Sequence, residues 1–287
     1  MNVALRPVTP RQDLARLGRQ ALLAVSALAA VLFAAGPARA VEECFLVAEV
    51  KTGHVAAKQG LCATRQSPAS TFKVPLALMG FDSGILKSPD APVWTSKAGM
   101  PDWMEQWKGP QTPKSWMQYS VVWYSQLLTQ ELGMDRFRAY VRGFDYGNQN
   151  LSGDPGKDNG LTRAWLSSSL RISPREQVDF LRRLLKGELP VSPEAVDKTI
   201  TILKVPESPA GWDLYGKTGT GFQQLGDGSP DRQRPFGWFI GWAEKGGRQF
   251  AFARFITLDY IPPEPLGPMA RRQAVKALEP ILTAQEK

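Results

Sequence analysis

The chain has 287 residues, of which 43% are hydrophobic and 22% charged, and its formal net charge is +8. This composition is enough for one large or two small globular domains and excludes collagen-like, coiled-coil and disordered chains. The only histidine, His54, excludes a three-histidine zinc site and leaves one candidate for the base of a Ser-His-Asp triad. We therefore expect any hydrolytic base to be a group other than imidazole.

The first forty residues have the pattern of a cleaved secretory signal. Scattered arginines precede an apolar run over residues 21–35, and the segment ends in Ala38-Arg39-Ala40. The run is shorter than the roughly 20 residues of a membrane-spanning helix, although it would anchor the protein if left uncleaved. Cleavage after Ala40 would remove five arginines and one aspartate and lower the net charge to +4. No basic run interleaved with aromatic residues would remain, so we expect neither nucleic acid nor a stable membrane contact as a partner.

The mature amino end is predicted to be a β-hairpin. Residues 45–51 and 54–61 have strand-like patterns around the turn Thr52-Gly53. In that hairpin Cys44 and Cys62 lie opposite each other to within one residue of register. Export to an oxidising compartment favours a disulfide between them, and the alternative is a pair of reduced, buried thiols. In either case their role is structural.

The middle of the chain is predicted to be helical and its end to return to strands. Helical patterns cover 69–84, 116–132, 135–142 and 174–185, the last capped by Ser173, whereas 88–115 is predicted as loop and short helix. A strand begins at 214–217, a hairpin spans 236–243 and 249–258, and an amphipathic helix covers 269–283. We expect an α/β (α+β) catalytic domain over 41–287. Its sheet lobe would be 41–68 and 210–287, its helical lobe 69–209, and its cleft would lie between the two.

A serine and a lysine at helical spacing form the first candidate site. In Ser70-Thr71-Phe72-Lys73 the two side chains lie on one face of a helix, within reach of each other. The spacing alone is weak evidence. However, Ser67-Pro68-Ala69 places Ser70 at a helix start, where main-chain N–H groups can stabilise an oxyanion. The apolar sequence Val74-Pro75-Leu76 after Lys73 favours a neutral amine.

Two further motifs follow along the chain. Lys217-Thr218-Gly219 is predicted at the end of a strand, where glycine lets a ligand approach the strand edge and lysine supplies positive charge. The alternative is an ordinary exit from strand to turn. Ser120, followed by Val121-Val122 on the aromatic helix, either bonds back to helix carbonyls or relays a proton.

Together and in this order, the three motifs resemble those of the serine penicillin-recognising enzymes. More closely, the mature chain resembles the class D (oxacillinase-type) β-lactamases. The resemblance is carried by Pro68-Ala69-Ser70-Thr71-Phe72-Lys73, Lys114-Ser115-Trp116-Met117-Gln118-Tyr119-Ser120-Val121-Val122-Trp123, Tyr146-Gly147-Asn148, Trp165-Leu166 with Ser168-Ser169-Leu170, and Lys217-Thr218-Gly219. Val122 is the discriminating position, because class A enzymes and most transpeptidases have asparagine there. The E-x-x-L-N motif of class A enzymes is also lacking.

The resemblance implies the fold of serine β-lactamases and penicillin-binding transpeptidases, with a central antiparallel sheet built from both chain ends and flanked by helices. It implies hydrolysis of the β-lactam ring of penicillin-type antibiotics, and hence antibiotic resistance. Ser70 would be the nucleophile. Lys73, as N6-carboxylysine, would be the general base in acylation and deacylation. Ser120 with Lys217 would carry the proton to the lactam nitrogen.

The same resemblance assigns the surrounding residues. Val122 would form a wall of the carbamate pocket and Trp165 would donate a hydrogen bond to the carbamate. The N–H groups of Ser70 and Thr220 would form the oxyanion hole. Thr220 stands where the family often has an aromatic residue, which leaves the substrate spectrum open.

The substrate carboxylate would be held by Thr218, beside Gly219, and by an arginine at the start of the last helix. Arg271 is our choice, and the adjacent Arg272 is the alternative. Tyr146-Gly147-Asn148 would shape a turn at the cleft edge, with Gly147 at positive φ. The resemblance implies no metal and no cofactor other than the CO2 or bicarbonate that carboxylates Lys73, and a periplasmic location.

Two other functions share part of this pattern. A penicillin-sensing receptor domain would be acylated and stay acylated, but Val122 and the lack of a second membrane segment argue against it. A cell-wall DD-peptidase or transpeptidase would be expected to keep a membrane anchor and an asparagine in the second motif. A secreted structural protein, in which all three motifs are accidental, is the remaining alternative.

Overall fold

Five antiparallel strands form the central sheet of the computed structural model, which describes residue 1 and residues 43–285. The strands are β1 (Cys44–Glu49), β2 (Val55–Gly60), β3 (Asp213–Gln224), β4 (Pro230–Lys245) and β5 (Arg248–Thr257). Their order across the sheet is β2-β1-β5-β4-β3. The two ends of the chain therefore meet where β1 pairs with β5, with Val47 opposite Phe252. The predicted fold class, a central antiparallel sheet drawn from both ends, is confirmed.

Helices flank the sheet, and most of them lie between β2 and β3 in the chain. They are α1 (Lys73–Asp82), α2 (Pro113–Tyr119), α3 (Val122–Leu132), α4 (Met134–Gly143), α5 (Gly160–Arg163), α6 (Pro174–Leu185), α7 (Pro193–Thr201) and α8 (Leu266–Ala284). Short 3-10 turns cover Ala69–Phe72, Glu105–Trp107 and Pro209–Gly211. Ser173 and Thr112 each begin a helix with a capping box and a following proline, which fixes where α6 and α2 start.

The two faces of the sheet are covered by different layers. One face packs on α8 through an apolar cluster that includes Phe239, Phe252 and Leu278. The other face, with Trp238 and Ile240, joins the larger cluster formed with the helices from the middle of the chain. Alternation of side chains along the strands produces this division, because neighbouring residues point to opposite faces. The helical layer and β3 together position the site described below.

Several predicted boundaries differ from the structure. The helix predicted over 116–132 is two helices, α2 and α3, separated at Ser120. The helix predicted from residue 69 begins as a 3-10 turn and becomes α-helical at Lys73. Helix α7 was not predicted, although Ser192 followed by Pro193 is a good start signal and the Ser192 side chain caps the helix.

The predicted disulfide between Cys44 and Cys62 is present, with a Cα–Cα distance of 5.1 Å. Its register differs slightly from the expected one, since Cys44 lies opposite Gly60 and Cys62 follows the end of β2. Residues 2–42, which hold nearly all of the predicted signal, lie outside the described part of the chain. Between residues 43 and 285 there is no helix of the length and hydrophobicity that crossing a membrane requires.

Candidate active site

Ser70 and Lys73 form the centre of the candidate site. Ser70 lies in the 3-10 turn that leads into α1, and the Lys73 Nζ is 3.3 Å from the Ser70 Oγ. The Lys73 side chain is completely buried. Burial, aided by the charge of Lys217, lowers the pKa of Lys73 well below its ordinary value. The amine of Lys73 is therefore held against the hydroxyl of Ser70 in surroundings that favour its neutral form.

The lysine–threonine–glycine motif lies on β3, the edge strand next to the turn that carries Ser70. A Cβ at Gly219 would lie 3.1 Å from the carbonyl oxygen of Pro68 and 3.3 Å from the nitrogen of Thr71. Only glycine lets the strand approach the Ser70 turn this closely without a displacement. The prediction that the motif ends a strand is wrong, because β3 continues through it to Gln224.

The N–H groups of alternate residues of β3 point away from β4, towards the outer edge of the sheet. The Gly216 N–H donates to the Leu203 carbonyl at 2.9 Å, and the Phe222 N–H donates to the Ser167 Oγ at 3.1 Å. Both donors point away from β4, and hydrogen-bonding direction alternates along an antiparallel strand. The N–H groups of Thr218 and Thr220, at the positions between them, therefore face the same outer edge. A ligand lying along this edge can bond to the main chain as an added strand would.

Lys217 supplies a second buried amine at this edge. It is 4% exposed, and its Nζ donates to the carbonyl oxygen of Thr218 at 3.1 Å. Burial and the positive charge of Arg271 lower the pKa of Lys217 to about 7. The amine can thus gain or lose a proton near neutral pH, which suits a group that transfers protons.

Ser120 lies at the break between α2 and α3, in a left-handed backbone conformation with φ of +60°. Such a conformation is unfavourable for a residue other than glycine and is maintained here by neighbouring hydrogen bonds. The N–H groups of Ser120 and Val121 both donate to the Trp116 carbonyl, and the Trp107 Nε1 donates to the Tyr119 carbonyl at 2.9 Å. Ser120 therefore interrupts the helix. The interpretation in which its side chain bonds back to the carbonyls of a continuous helix does not apply.

Trp165 and Val122 lie in the helical layer that packs against the Ser70 turn and α1. The indole of Trp165 is fully buried and stacks on Phe72, the residue before Lys73, with ring centroids 5.6 Å apart. Its Nε1 is buried and has no hydrogen-bond partner among the described residues. A buried indole N–H normally has an acceptor, so this donor is free to bond to a polar group held next to it. Val122 is 8% exposed and begins α3, which packs against α1.

A buried polar network, which the sequence analysis missed, supports the Ser70 turn from below. The Ser67 Oγ donates to the Trp165 carbonyl at 2.8 Å, and the Trp238 Nε1 donates to the Ser67 carbonyl at 3.0 Å. The Gln177 Nε2 donates to the Thr71 Oγ1 at 2.9 Å. These bonds tie both ends of the turn to the helical layer and to the sheet. No motif marks them, because the partners lie far apart in sequence.

The Tyr146-Gly147-Asn148 segment forms a turn with Gly147 at φ of +57°, as predicted. A Cβ at Gly147 would lie 2.0 Å from the Arg171 carbonyl oxygen, so glycine is required there. Tyr146 is fully buried against Phe72, with ring centroids 5.3 Å apart. Tyr146 therefore packs in the core against the Ser70 turn, whereas Asn148 at the other end of the segment is partly exposed.

The structure distinguishes the two candidate arginines. Arg271 is close enough to Lys217 to affect its pKa, and its guanidinium lies over the Phe239 ring, 5.7 Å from the centroid. It also forms an ion pair with Glu207. Arg272 pairs with Glu264 and its side chain is 59% exposed. Arg271 is the arginine at the site.

A cavity of about 410 Å³ adjoins the Lys217 end of the site. Its lining includes Lys217, Thr218 and Arg271, together with Met117 and Gln118 just before Ser120. Ser70 is outside this lining, so the cavity lies beside Lys217 and Arg271 and not over Ser70. The described residues include no group of three or more His, Cys, Asp or Glu side chains that could hold a metal ion.

The chain is similar to known proteins in both sequence and structure. The sequence model of the family described as penicillin-binding protein transpeptidase domain matches residues 38–272 of the chain. The chain is 48% identical over 213 residues to β-lactamase OXA-9 of Klebsiella pneumoniae, covering 74% of this chain and 78% of that protein.

Solved structures agree. The crystal structure of the OXA-427 class D β-lactamase is 48% identical and matches with a TM-score of 0.80 over 84% of this chain and 99% of that one. The C-terminal domain of the BlaR penicillin receptor of Bacillus licheniformis is 27% identical. It matches with a TM-score of 0.71 over 83% of this chain and 89% of that one.

Proposed function

The chain belongs to the class D β-lactamases and hydrolyses the β-lactam ring, the chemistry of antibiotic resistance, and we propose that it does so through an acyl-enzyme on Ser70. The observation that carries this proposal is the completely buried Lys73 amine, 3.3 Å from the Ser70 hydroxyl. A lysine with its pKa lowered by burial is a chemically competent base, whereas a protonated one is not.

We further propose that Lys73 carries CO2 as a carbamate. A neutral amine adds to CO2, forming an N–C bond and releasing one proton, and the product is an anion that accepts hydrogen bonds. The unpartnered Nε1 of Trp165 supports this proposal because it is a buried donor without an acceptor among the described residues, on an indole that stacks on Phe72, the residue before Lys73. Val122 would form part of the apolar wall that keeps water from the modified side chain.

In acylation the Ser70 Oγ attacks the lactam carbonyl carbon and gives its proton to carboxylated Lys73. The C–N bond of the ring then breaks, and Ser120 with Lys217 delivers a proton to the departing nitrogen. Before deacylation the proton on the carbamate would return to Ser120 and Lys217, which gave theirs to the nitrogen. Carboxylated Lys73 would then take a proton from water, the hydroxide would attack the ester carbonyl carbon, and that same proton would pass to the departing Ser70 Oγ. One base thus serves both half-reactions.

The oxyanion that forms in each half-reaction would be bound by two main-chain N–H groups. The N–H of Ser70 is in the first turn of its helix, where such groups have no partner within the helix. The N–H of Thr220 faces the outer edge of β3, as inferred above from its neighbours. Donors held by the fold cost no reorganisation when charge develops on the carbonyl oxygen.

The carboxylate of the substrate would bind to Thr218 and Arg271, both of which line the cavity beside Lys217. Gly219 would then lie next to the ring. This orientation brings the lactam carbonyl towards Ser70 and leaves the ring nitrogen towards Ser120 and Lys217. The arginine guanidinium is well suited to this task, because its forked donors match a carboxylate.

We also propose that the protein acts in the periplasm as one catalytic domain, residues 41–287, after cleavage behind Ala40. The disulfide between Cys44 and Cys62 supports an oxidising compartment. The leader pattern supports export, and the small-molecule substrate requires no nucleic acid or stable membrane contact.

Intact-mass spectrometry after rapid mixing with benzylpenicillin tests the acyl-enzyme. We expect a transient mass increase equal to the whole antibiotic, because ring opening expels no atoms, together with many turnovers per protein molecule. The Ser70→Ala variant should gain no mass and show no turnover. A single stable adduct without turnover would favour a receptor over a hydrolase, and turnover by Ser70→Ala would exclude Ser70 as the nucleophile.

A further inference from the structure

The guanidinium assigned to the substrate carboxylate is already in contact with a carboxylate of the protein. The Arg271 Nη2 contacts the Glu207 Oε2, from the segment just before the 3-10 turn Pro209–Gly211. The side chains of Arg271 and Glu207 are 27% and 36% exposed, respectively. Arg271 lines the cavity beside Lys217, whereas Glu207 is outside the lining and follows Pro206, which is part of it. The pair therefore lies at the rim of the cavity, where water has access to both side chains.

The remaining contacts of Arg271 restrict where a ligand can bind it. The guanidinium lies over the Phe239 ring, and its Nε is buried without a hydrogen-bond partner among the described residues. A ligand therefore has to use the terminal nitrogens, and Glu207 occupies one of these. A second carboxylate placed there meets both the attraction of Arg271 and the repulsion of Glu207.

We propose that Glu207 is a counter-ion that lowers substrate affinity, because the substrate carboxylate has to displace it from Arg271. This inference rests on the proposed function, because it takes Arg271 as the carboxylate site. Displacement is feasible since Glu207 is partly exposed and can be solvated by water when it is released. Glu207 thus weakens the binding of every anionic β-lactam by the free energy of the pair that must be broken.

The next arginine along α8 provides a matched control. Arg272 forms an ion pair with Glu264, and the two side chains are 59% and 40% exposed. Neither residue lines the cavity beside Lys217. Neutralising Glu264 removes the same charge from a neighbouring pair without changing the occupancy of Arg271.

Binding is measured on the Ser70→Ala background, which cannot form the acyl-enzyme, by the quenching of tryptophan fluorescence with benzylpenicillin. We expect Glu207→Gln to lower Kd about two- to fivefold, the range expected for a partly exposed ion pair. Glu264→Gln should leave Kd unchanged. An unchanged or higher Kd with Glu207→Gln, or an equal decrease with Glu264→Gln, would overturn the proposal.

Turnover in the chain that retains Ser70 gives a second readout. Glu207→Gln should lower KM and leave kcat within twofold of the parent protein, whereas a loss of fold would reduce both the active fraction and kcat. A raised KM would mean that Glu207 aligns Arg271 instead of competing for it, which contradicts the proposal. Failure of the proposed function appears separately, as an absence of turnover in the unmodified protein, and the Kd comparison still decides the role of Glu207.

Discussion

Two buried amines dominate the chemistry at the residue scale. Lys73 is fully buried and Lys217 nearly so, and the positive charge of Lys217 is one of the causes that lower the pKa of Lys73. A buried amine with a lowered pKa costs stability at neutral pH, because the same lysine binds its proton more tightly in the unfolded chain. Catalytic power and stability should therefore change in opposite directions when either amine is removed.

Lys73→Met tests this opposition directly. Methionine has a similar length and no charge, so we expect the protein to fold and to lose nearly all turnover. In CO2-depleted buffer, where Lys73 of the parent protein is an unmodified amine, the variant should show the higher Tm. Lys58→Met, at an exposed position on β2, is the control and should change neither property. Retained turnover would remove Lys73 from the mechanism.

The pKa of Lys217 predicts a pH dependence. Its folded pKa is lowered to about 7, so the charged form that donates a proton is lost as the pH rises through that value. With bicarbonate in excess, kcat/KM should decline above about pH 7. The less active Lys217→Arg variant should lack this decline, because arginine stays charged. An identical alkaline limb in both proteins would show that another group causes it.

Ser120 allows its hydroxyl to be separated from its backbone. Both Ser120→Gly and Ser120→Ala remove the hydroxyl, but only glycine accepts the observed φ of +60° without strain. We expect similar, large losses of kcat/KM in the two variants, while Ser120→Ala is less stable than Ser120→Gly by about 1 kcal/mol. Urea unfolding and steady-state kinetics measure the two effects. Full activity in either variant would argue against a proton relay through Ser120.

At the scale of elements, the close approach of β3 to the Ser70 turn sets the geometry of the site. Gly219→Ala would place a methyl group 3.1 Å from the Pro68 carbonyl oxygen and move the turn or the strand apart. Because displacements of about 1 Å can cost up to 100-fold in rate, we expect kcat/KM to fall at least tenfold. Gly226→Ala, where a Cβ would meet nothing within 4 Å, is the control on the same hairpin. Equal activity in the two variants would contradict the proposed role of this contact.

The helices and turns also show which structural features the sequence could predict and which it could not. Local signals were sufficient where the determinants are local, as for the cap of α6 at Ser173 and the turn at Gly147. The break at Ser120 could not be predicted, because residues 116–132 are compatible with one helix. The bond from Trp107 to the Tyr119 carbonyl that helps hold the break comes from another segment. The Arg271–Glu207 pair could not be predicted either, because its partners come from different segments and neither lies in a motif.

In the whole molecule, the disulfide and the candidate site lie at opposite edges of the sheet. The disulfide joins β1 to the end of β2 at one edge of the sheet, whereas Lys217 lies on β3 at the other edge. Order along the chain thus has little bearing on distance from the site. The edge formed by β2 and β1 carries the disulfide, and the opposite edge, formed by β3, carries the proposed substrate site.

The double variant Cys44→Ala/Cys62→Ala tests this separation. A cross-link between residues 18 positions apart is expected to contribute about 3 kcal/mol to the free energy of unfolding. We expect that loss in denaturant unfolding, with kcat/KM at 25 °C unchanged. A large loss of activity in a folded double variant would mean that the far edge of the sheet influences the site.

The central claim is that carboxylated Lys73 is the base in both half-reactions. Steady-state β-lactam turnover by the unmodified protein, first in CO2-depleted buffer and then with added bicarbonate, tests it most directly. We predict low turnover without CO2 and a saturable rise as bicarbonate is restored. Turnover of the same rate under both conditions would contradict the carbamate and leave the base unassigned.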